Sequence, residues 1–75
     1  MNWRDFIETT LGVRGGKPHI VGTRLTPSDV LEYLAGGNTE HDILKDFSGL
    51  RPEHIRAVLA YAAERERRYA ILTAA

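Results

Sequence analysis

Thr39-Glu40-His41-Asp42-Ile43-Leu44-Lys45-Asp46-Phe47-Ser48-Gly49-Leu50-Arg51-Pro52-Glu53-His54-Ile55-Arg56-Ala57-Val58-Leu59-Ala60-Tyr61-Ala62 holds two helices and the turn between them. Thr39 supplies a hydroxyl cap and Asp42 a carboxylate three residues on, so a helix starts there. Ile43, Leu44 and Phe47 give it one apolar face, and Ser48-Gly49 stops it. Pro52 opens the next helix, in which Ile55, Val58, Leu59 and Ala62 stand at i, i+3, i+4 and i+7. That periodicity predicts a helix docking by one face and running to Tyr69. The spacing over about 39–69 is that of a helix-turn-helix, whose second helix can enter a DNA major groove. Many small three-helix domains share the spacing without touching DNA.

Working towards the N-terminus, Thr26-Pro27-Ser28-Asp29 repeats the start signal with proline at the first helical position. Val30, Leu31 and Leu34 form its apolar stripe, and Gly36-Gly37 ends it. Before it, Gly16-Lys17-Pro18-His19-Ile20-Val21-Gly22-Thr23-Arg24-Leu25 reads as a short strand-turn-strand, with Pro18 confined to an edge or a strand start. Gly12-Val13-Arg14-Gly15-Gly16 is a turn-rich connection. Its Gly15-Gly16-Lys17 invites comparison with a phosphate-cradling loop, but Leu11 stands where that loop needs glycine and Pro18 where it needs Ser or Thr. Residues 2–10 fit a helix through Trp3, Phe6, Ile7 and Leu11, and equally a strand through Phe6-Ile7-Glu8-Thr9-Thr10. The expected fold is mainly α: a small three-helix bundle with a helix-turn-helix, preceded by a short N-terminal β-hairpin or strand unit. One domain over 1–75 divides into a strand and turn unit at 1–26 and a helical bundle at 27–69.

A 75-residue chain buries only about 60% of its unfolded surface. It has no cysteine to staple it, so burial between two copies is expected, as a homodimer. The same lack of cysteine, with no basic leader and no apolar run of about 20 residues, predicts a cytoplasmic protein that neither spans a membrane nor is exported. Ten basic and ten acidic side chains cancel, which removes the simplest argument for nucleic acid. Their distribution is uneven: 1–27, 28–50 and 51–75 carry +2, −4 and +2.

Catalytic constellations are sparse. There is no cysteine nucleophile and no histidine pair at metal-ligand spacing; Ser28 and Ser48 lie in cap or turn contexts. His19, His41 and His54 fall in different elements, so each is expected at the surface or partly packed. No enzyme activity, metal or cofactor is expected. With Ile55, Val58 and Leu59 turned inward, Glu53, His54, Arg56, Ala57, Ala60 and Tyr61 lie wholly or partly outward, and Arg51 projects near the helix start. Arginine suits guanine edges and phosphates, and alanine permits close approach, so Arg51, His54, Arg56, Ala57, Ala60 and Tyr61 form the expected DNA face. The alternative is a solvated face with Arg56 paired to a carboxylate. Glu64-Arg65-Glu66-Arg67-Arg68 alternates in sign as an exposed helical surface does, and Tyr69-Ala70-Ile71-Leu72 is apolar enough to dock.

Gly16-Lys17-Pro18, Gly22-Thr23-Arg24, Leu34-Ala35-Gly36-Gly37, Ile43-Leu44-Lys45-Asp46-Phe47 and Ile55-Arg56-Ala57-Val58-Leu59-Ala60-Tyr61-Ala62 recur in an order and spacing that resemble the domain of unknown function 433 family over about residues 5–66. That family comprises small, homeodomain-like prokaryotic proteins regarded as VapB-type antitoxins. The resemblance implies the antitoxin half of a type II toxin-antitoxin pair, a partner similar to a PIN-type ribonuclease, and operator binding by the helix-turn-helix. It places Gly16, Lys17, Gly22, Thr23 and Arg24 in the shared N-terminal motif, without assigning their role. This chain departs from the pattern at Leu11, at His19, and at Arg51, where a capping Thr or Ser is usual; the last loss weakens the helix start by ~1 kcal/mol. Two other classes stay open: a protein-interaction module that binds a partner without DNA, and a small-ligand sensor using the loop from Gly15 to Arg24.

Overall fold

The computed structural model describes the backbone of residues 2–73 and the side chains of residues 2–68. A single 3-10 turn at Trp3–Asp5 leads into strand β1 (Ile7–Thr9); a second at Arg14–Gly16 leads into β2 (Pro18–Ile20); helices α1 (Pro27–Ala35), α2 (Glu40–Asp46) and α3 (Pro52–Thr73) follow. The molecule is therefore mostly helical, with a two-stranded antiparallel sheet at its N-terminus. Of the two expectations for residues 2–10 the strand is the one formed, at Ile7–Thr9; the helix through Trp3, Phe6, Ile7 and Leu11 is reduced to the 3-10 turn at Trp3–Asp5, and Leu11 is 98% exposed. Asn2 accepts from the Arg4 amide at 3.1 Å to start the 3-10 turn, the Phe6 amide closes it on the Trp3 carbonyl at 2.9 Å, and the β-branched residues after it form the strand.

The strand pairing departs from expectation. The ladder joins β2 to β1, in the register Ile7↔Ile20, Glu8↔His19 and Thr9↔Pro18, and the expected pairing inside 16–25 is reduced to one bond, from the Ile20 amide to the Leu25 carbonyl at 2.8 Å. Residues 21–25 cannot return as a strand because they are a clamp. Gly22, at φ 80°, supplies the left-handed residue of a turn closed by the Thr23 amide on the Ile20 carbonyl at 2.9 Å. The Thr23 hydroxyl donates to that same carbonyl at 2.9 Å and accepts from the Leu25 amide at 3.1 Å. Pro18 occupies the first position of its strand, where its missing N–H costs nothing.

Both expected helix starts are present. At α1 the Thr26 hydroxyl accepts from the Asp29 amide at 3.0 Å while the Asp29 carboxylate accepts from the Thr26 amide at 2.9 Å. Thr39 and Asp42 repeat this reciprocal box at α2, at 3.1 and 2.7 Å. Gly37, at φ 97°, follows the end of α1. Ile20, Ile43 and Val58 are fully enclosed, and Ile7, Val30, Leu50 and Ile55 surround them, so both strands and all three helices share one core. Each such side chain contributes about 1.5–3 kcal/mol by leaving water. α3 extends past Tyr69 to Thr73; the expected docking of the 69–72 side chains lies outside the described residues. Among the described residues no helix is long and apolar enough to cross a membrane.

Three carboxyls carry the pH dependence. The Thr26 amide holds Asp29 below the ordinary aspartate value of 3.8, aided by the Arg14 guanidinium. The Thr39 amide does the same for Asp42, and the Trp3 indole N–H lowers Glu64. The unfolded chain therefore binds protons that the folded protein excludes. The stability these groups confer is complete above the ordinary carboxyl range and is lost as pH falls through the depressed values. Thermal midpoints measured from pH 7 to pH 2 should hold a plateau and then drop below about pH 4. Asp29→Asn should lower the plateau and flatten the drop.

Candidate nucleic-acid interface

The 47–51 connection sets the angle between α2 and α3. Leu50 is buried in the core, its amide bonded to the Phe47 carbonyl at 3.0 Å, and the Phe47 ring meets Tyr33 of α1 edge-to-face at 5.5 Å. The Tyr33 hydroxyl donates to Asp46 at the end of α2, which raises the tyrosine pKa because the proton is held by a carboxylate. Arg51 has no side-chain oxygen to cap α3. His54 compensates from within the first turn, its Nδ1 accepting from the Arg51 amide at 2.9 Å. This is the carboxylate half of a capping box performed by an imidazole.

The six residues expected on a DNA face divide between two sides of α3. Arg51 and Arg56 are exposed and Ala60 is half-buried on the open side. Ala57, at 0% exposure, is in the interior and cannot meet a ligand, while Leu59, expected inward, is 48% exposed. His54 and Tyr61 are covered by the N-terminal segment: the Phe6 ring meets His54 edge-to-face at 5.6 Å and the Trp3 ring meets Tyr61 at 4.8 Å. The physical reason is a second stripe, buried at Ala57 and partly buried at His54 and Tyr61, at i, i+3 and i+7. It runs beside the Ile55–Val58 stripe and rotates the open face towards Arg56, Leu59, Ala60 and Ala63. The signal was present in Trp3 and Phe6, large rings that had to seat against something.

A charged clasp holds the cover in place. Glu64 of α3 accepts from the Trp3 indole N–H, from Arg4 at 3.2 Å and from Arg68, one turn along, at 3.1 Å. The Arg4 guanidinium also stacks 4.4 Å from the Trp3 ring centre. The alternating 64–68 block is thus partly consumed by structural contacts. Among the described residues neither Arg51 nor Arg56 forms an ion pair, so the pairing of Arg56 with a carboxylate is not observed.

The shared N-terminal motif lies apart from this ridge. Gly22 and Thr23 are spent on the turn after β2. Arg14, Gly15 and Gly16 adopt successive left-handed conformations at φ 50°, 67° and 80°, and Lys17 follows them, exposed. The Arg14 guanidinium bridges the Arg24 carbonyl at 3.2 Å and the Asp29 carboxylate at 2.8 Å, so Arg24 contributes its backbone while its side chain is exposed. His19, at 3% exposure, is more deeply packed than a surface or partly packed residue; its Nε2 lies 3.5 Å from Glu8 and its Nδ1 has no hydrogen-bond partner. His41 is exposed. Among the described residues no group of three His, Cys, Asp or Glu side chains could hold a metal.

A family profile described as "Protein of unknown function (DUF433)" matches residues 7–62. The crystal structure of a DUF433 member protein from Anabaena variabilis ATCC 29413, at 2.00 Å resolution, superposes with a TM-score of 0.75 at 26% sequence identity, covering 92% of this chain and 68% of that one. No curated protein matches the chain.

Removal of the half-buried indole tests the covered flank. Trp3→Ala should cost about 2 kcal/mol, lowering the thermal midpoint by roughly 10 °C. Amide resonances of His54 and Tyr61 should move while that of Arg56 stays; movement of Arg56 alone would contradict the division of α3 into covered and open sides.

Proposed function

This chain belongs to the DUF433 family, and on that footing we propose that it is an antitoxin-type regulator that binds duplex DNA through the open side of α3. The observation that supports this is the pair Arg51 and Arg56, exposed and without ion-pair partners among the described residues, one just before and one on the second helix of a helix, turn and helix. Arg51 precedes the first turn and suits a backbone phosphate. Arg56 stands on the open face, where a guanidinium can pair with a guanine edge, and Ala60 one turn on admits the helix closely. His54, Ala57 and Tyr61 take no part. The protein acts by binding rather than by catalysis, in the cytoplasm, as a homodimer whose other surface masks a toxin resembling a PIN-type ribonuclease.

A second reading has its own support. Leu59, 48% exposed on the same ridge between Arg56 and Ala63, is an apolar side chain suited to a protein partner, and the zero net charge fits that class.

The decisive measurement is binding to duplex DNA from immediately upstream of the protein's own coding sequence, titrated across salt. The logarithm of affinity should fall linearly with the logarithm of salt concentration, about 0.9 for each phosphate neutralised. Arg51→Ala should weaken binding to all sequences and reduce that slope by about one, whereas Arg56→Ala should cost about 1–3 kcal/mol and relax sequence preference. Unchanged affinity in both variants, with partner capture lost in Leu59→Asp, would favour the protein-interaction module.

A further inference from the structure

A cleft of about 420 Å³ opens between the 14–17 turn, the first turns of α1 and the middle of α3. Its size is that of a small-molecule site. It lies away from the open side of α3, and its rim includes Lys17, the cationic side chain of the shared N-terminal motif that lines this cleft.

The cations that line the cleft are not equivalent. Arg14 is committed, held at 2.8 Å by Asp29 and bonded to the Arg24 carbonyl. Lys17 is exposed and forms no ion pair among the described residues. Arg65 donates through Nη1 to the Tyr61 hydroxyl at 3.2 Å and lies 5.4 Å from that ring's centre, which orients the guanidinium and leaves its other N–H groups free. Two available positive charges from segments 48 positions apart in sequence therefore converge on one concavity. A lysine point charge beside an arginine fork is the pairing that suits a phosphate dianion. Asp29 is neutralised by Arg14, which leaves Glu32 as the unpaired carboxylate of the lining; it repels an anion but accepts hydroxyl donors. Pro18, Pro27 and the Tyr61 ring supply apolar surface between these charges.

We propose that this cleft binds a small phosphate monoester whose carrier bears hydroxyl groups, with Lys17 and Arg65 as partners of the phosphate and Glu32 as acceptor for the carrier. The two cations, not the helix start beside them, select the charge. This site stands independently of the DNA reading, because Lys17 and Arg65 lie off the Arg51 and Arg56 ridge.

The test is a titration of the full chain, at fixed ionic strength, with ribose 5-phosphate, inorganic phosphate, ribose and a short duplex DNA, followed by amide chemical shifts. Ribose 5-phosphate should bind saturably and more tightly than inorganic phosphate, and ribose should not bind. Lys17→Ala and Arg65→Ala, both at exposed positions, should each weaken ribose 5-phosphate by roughly tenfold or more, and Glu32→Gln should narrow its advantage over phosphate. Arg56→Ala should leave it unchanged. Non-saturable shifts, equal affinity in Lys17→Ala, or response of the Lys17 and Arg65 resonances to duplex DNA alone would overturn the proposal; the last result would make the cleft a backbone contact of the nucleic acid.

Discussion

The seating of Trp3 and Phe6 against one flank of α3 decides which surface of this protein remains available. A helix of this kind has to bury one stripe to join a three-helix core, and Ile55 with Val58 does so. Here a second stripe is partly covered as well, because a chain of this size has few other apolar surfaces on which its N-terminal aromatic rings can leave water. The rings also bring their own electrostatics: the indole N–H of Trp3 ends on Glu64, and that carboxylate gathers Arg4 and Arg68 around it. A contact of this type orients as well as adheres, since an edge-to-face pair and a directed N–H allow few other placements.

The consequence reaches the proposed function through subtraction. Once His54, Ala57 and Tyr61 are assigned to the interior or to the N-terminal cover, the surface left on α3 is narrower and carries Leu59 among its arginines. Such a surface is neither strongly basic nor strongly apolar. The proposed groove-reading role would rest on Arg51 and Arg56, and Leu59 is the residue that separates it from protein binding.

The helix boundaries were legible in the sequence because they are set locally. Thr26 with Asp29, and Thr39 with Asp42, sit three residues apart, and the chain needs nothing distant to form either box. Strand partnership was not legible in this way. Pro18 to Ile20 could have paired with the residues that follow, and only the turn chemistry of Gly22 and Thr23, together with the seating of Ile7 opposite Ile20, directs it to β1. The rotation of α3 was missed for a related reason. Periodicity gives Leu59 the place of Ala57, since an apolar pattern ranks leucine above alanine and is blind to a segment more than 40 residues earlier that covers the neighbouring face. Arg51 reads as a lost cap because a sequence pattern seeks an oxygen at that position; the acceptor is a ring nitrogen three residues on.

Asp29 occupies an unusual crossing. The same carboxylate closes the first turn of α1 and restrains the guanidinium of Arg14, whose backbone is held at a left-handed angle that non-glycine residues avoid. The 3-10 turn before β2 and the beginning of α1, though separated by a strand and a tight bend, therefore form one cooperative unit. Opening at either place removes a bond from the other, so the stability of each segment depends in part on the other.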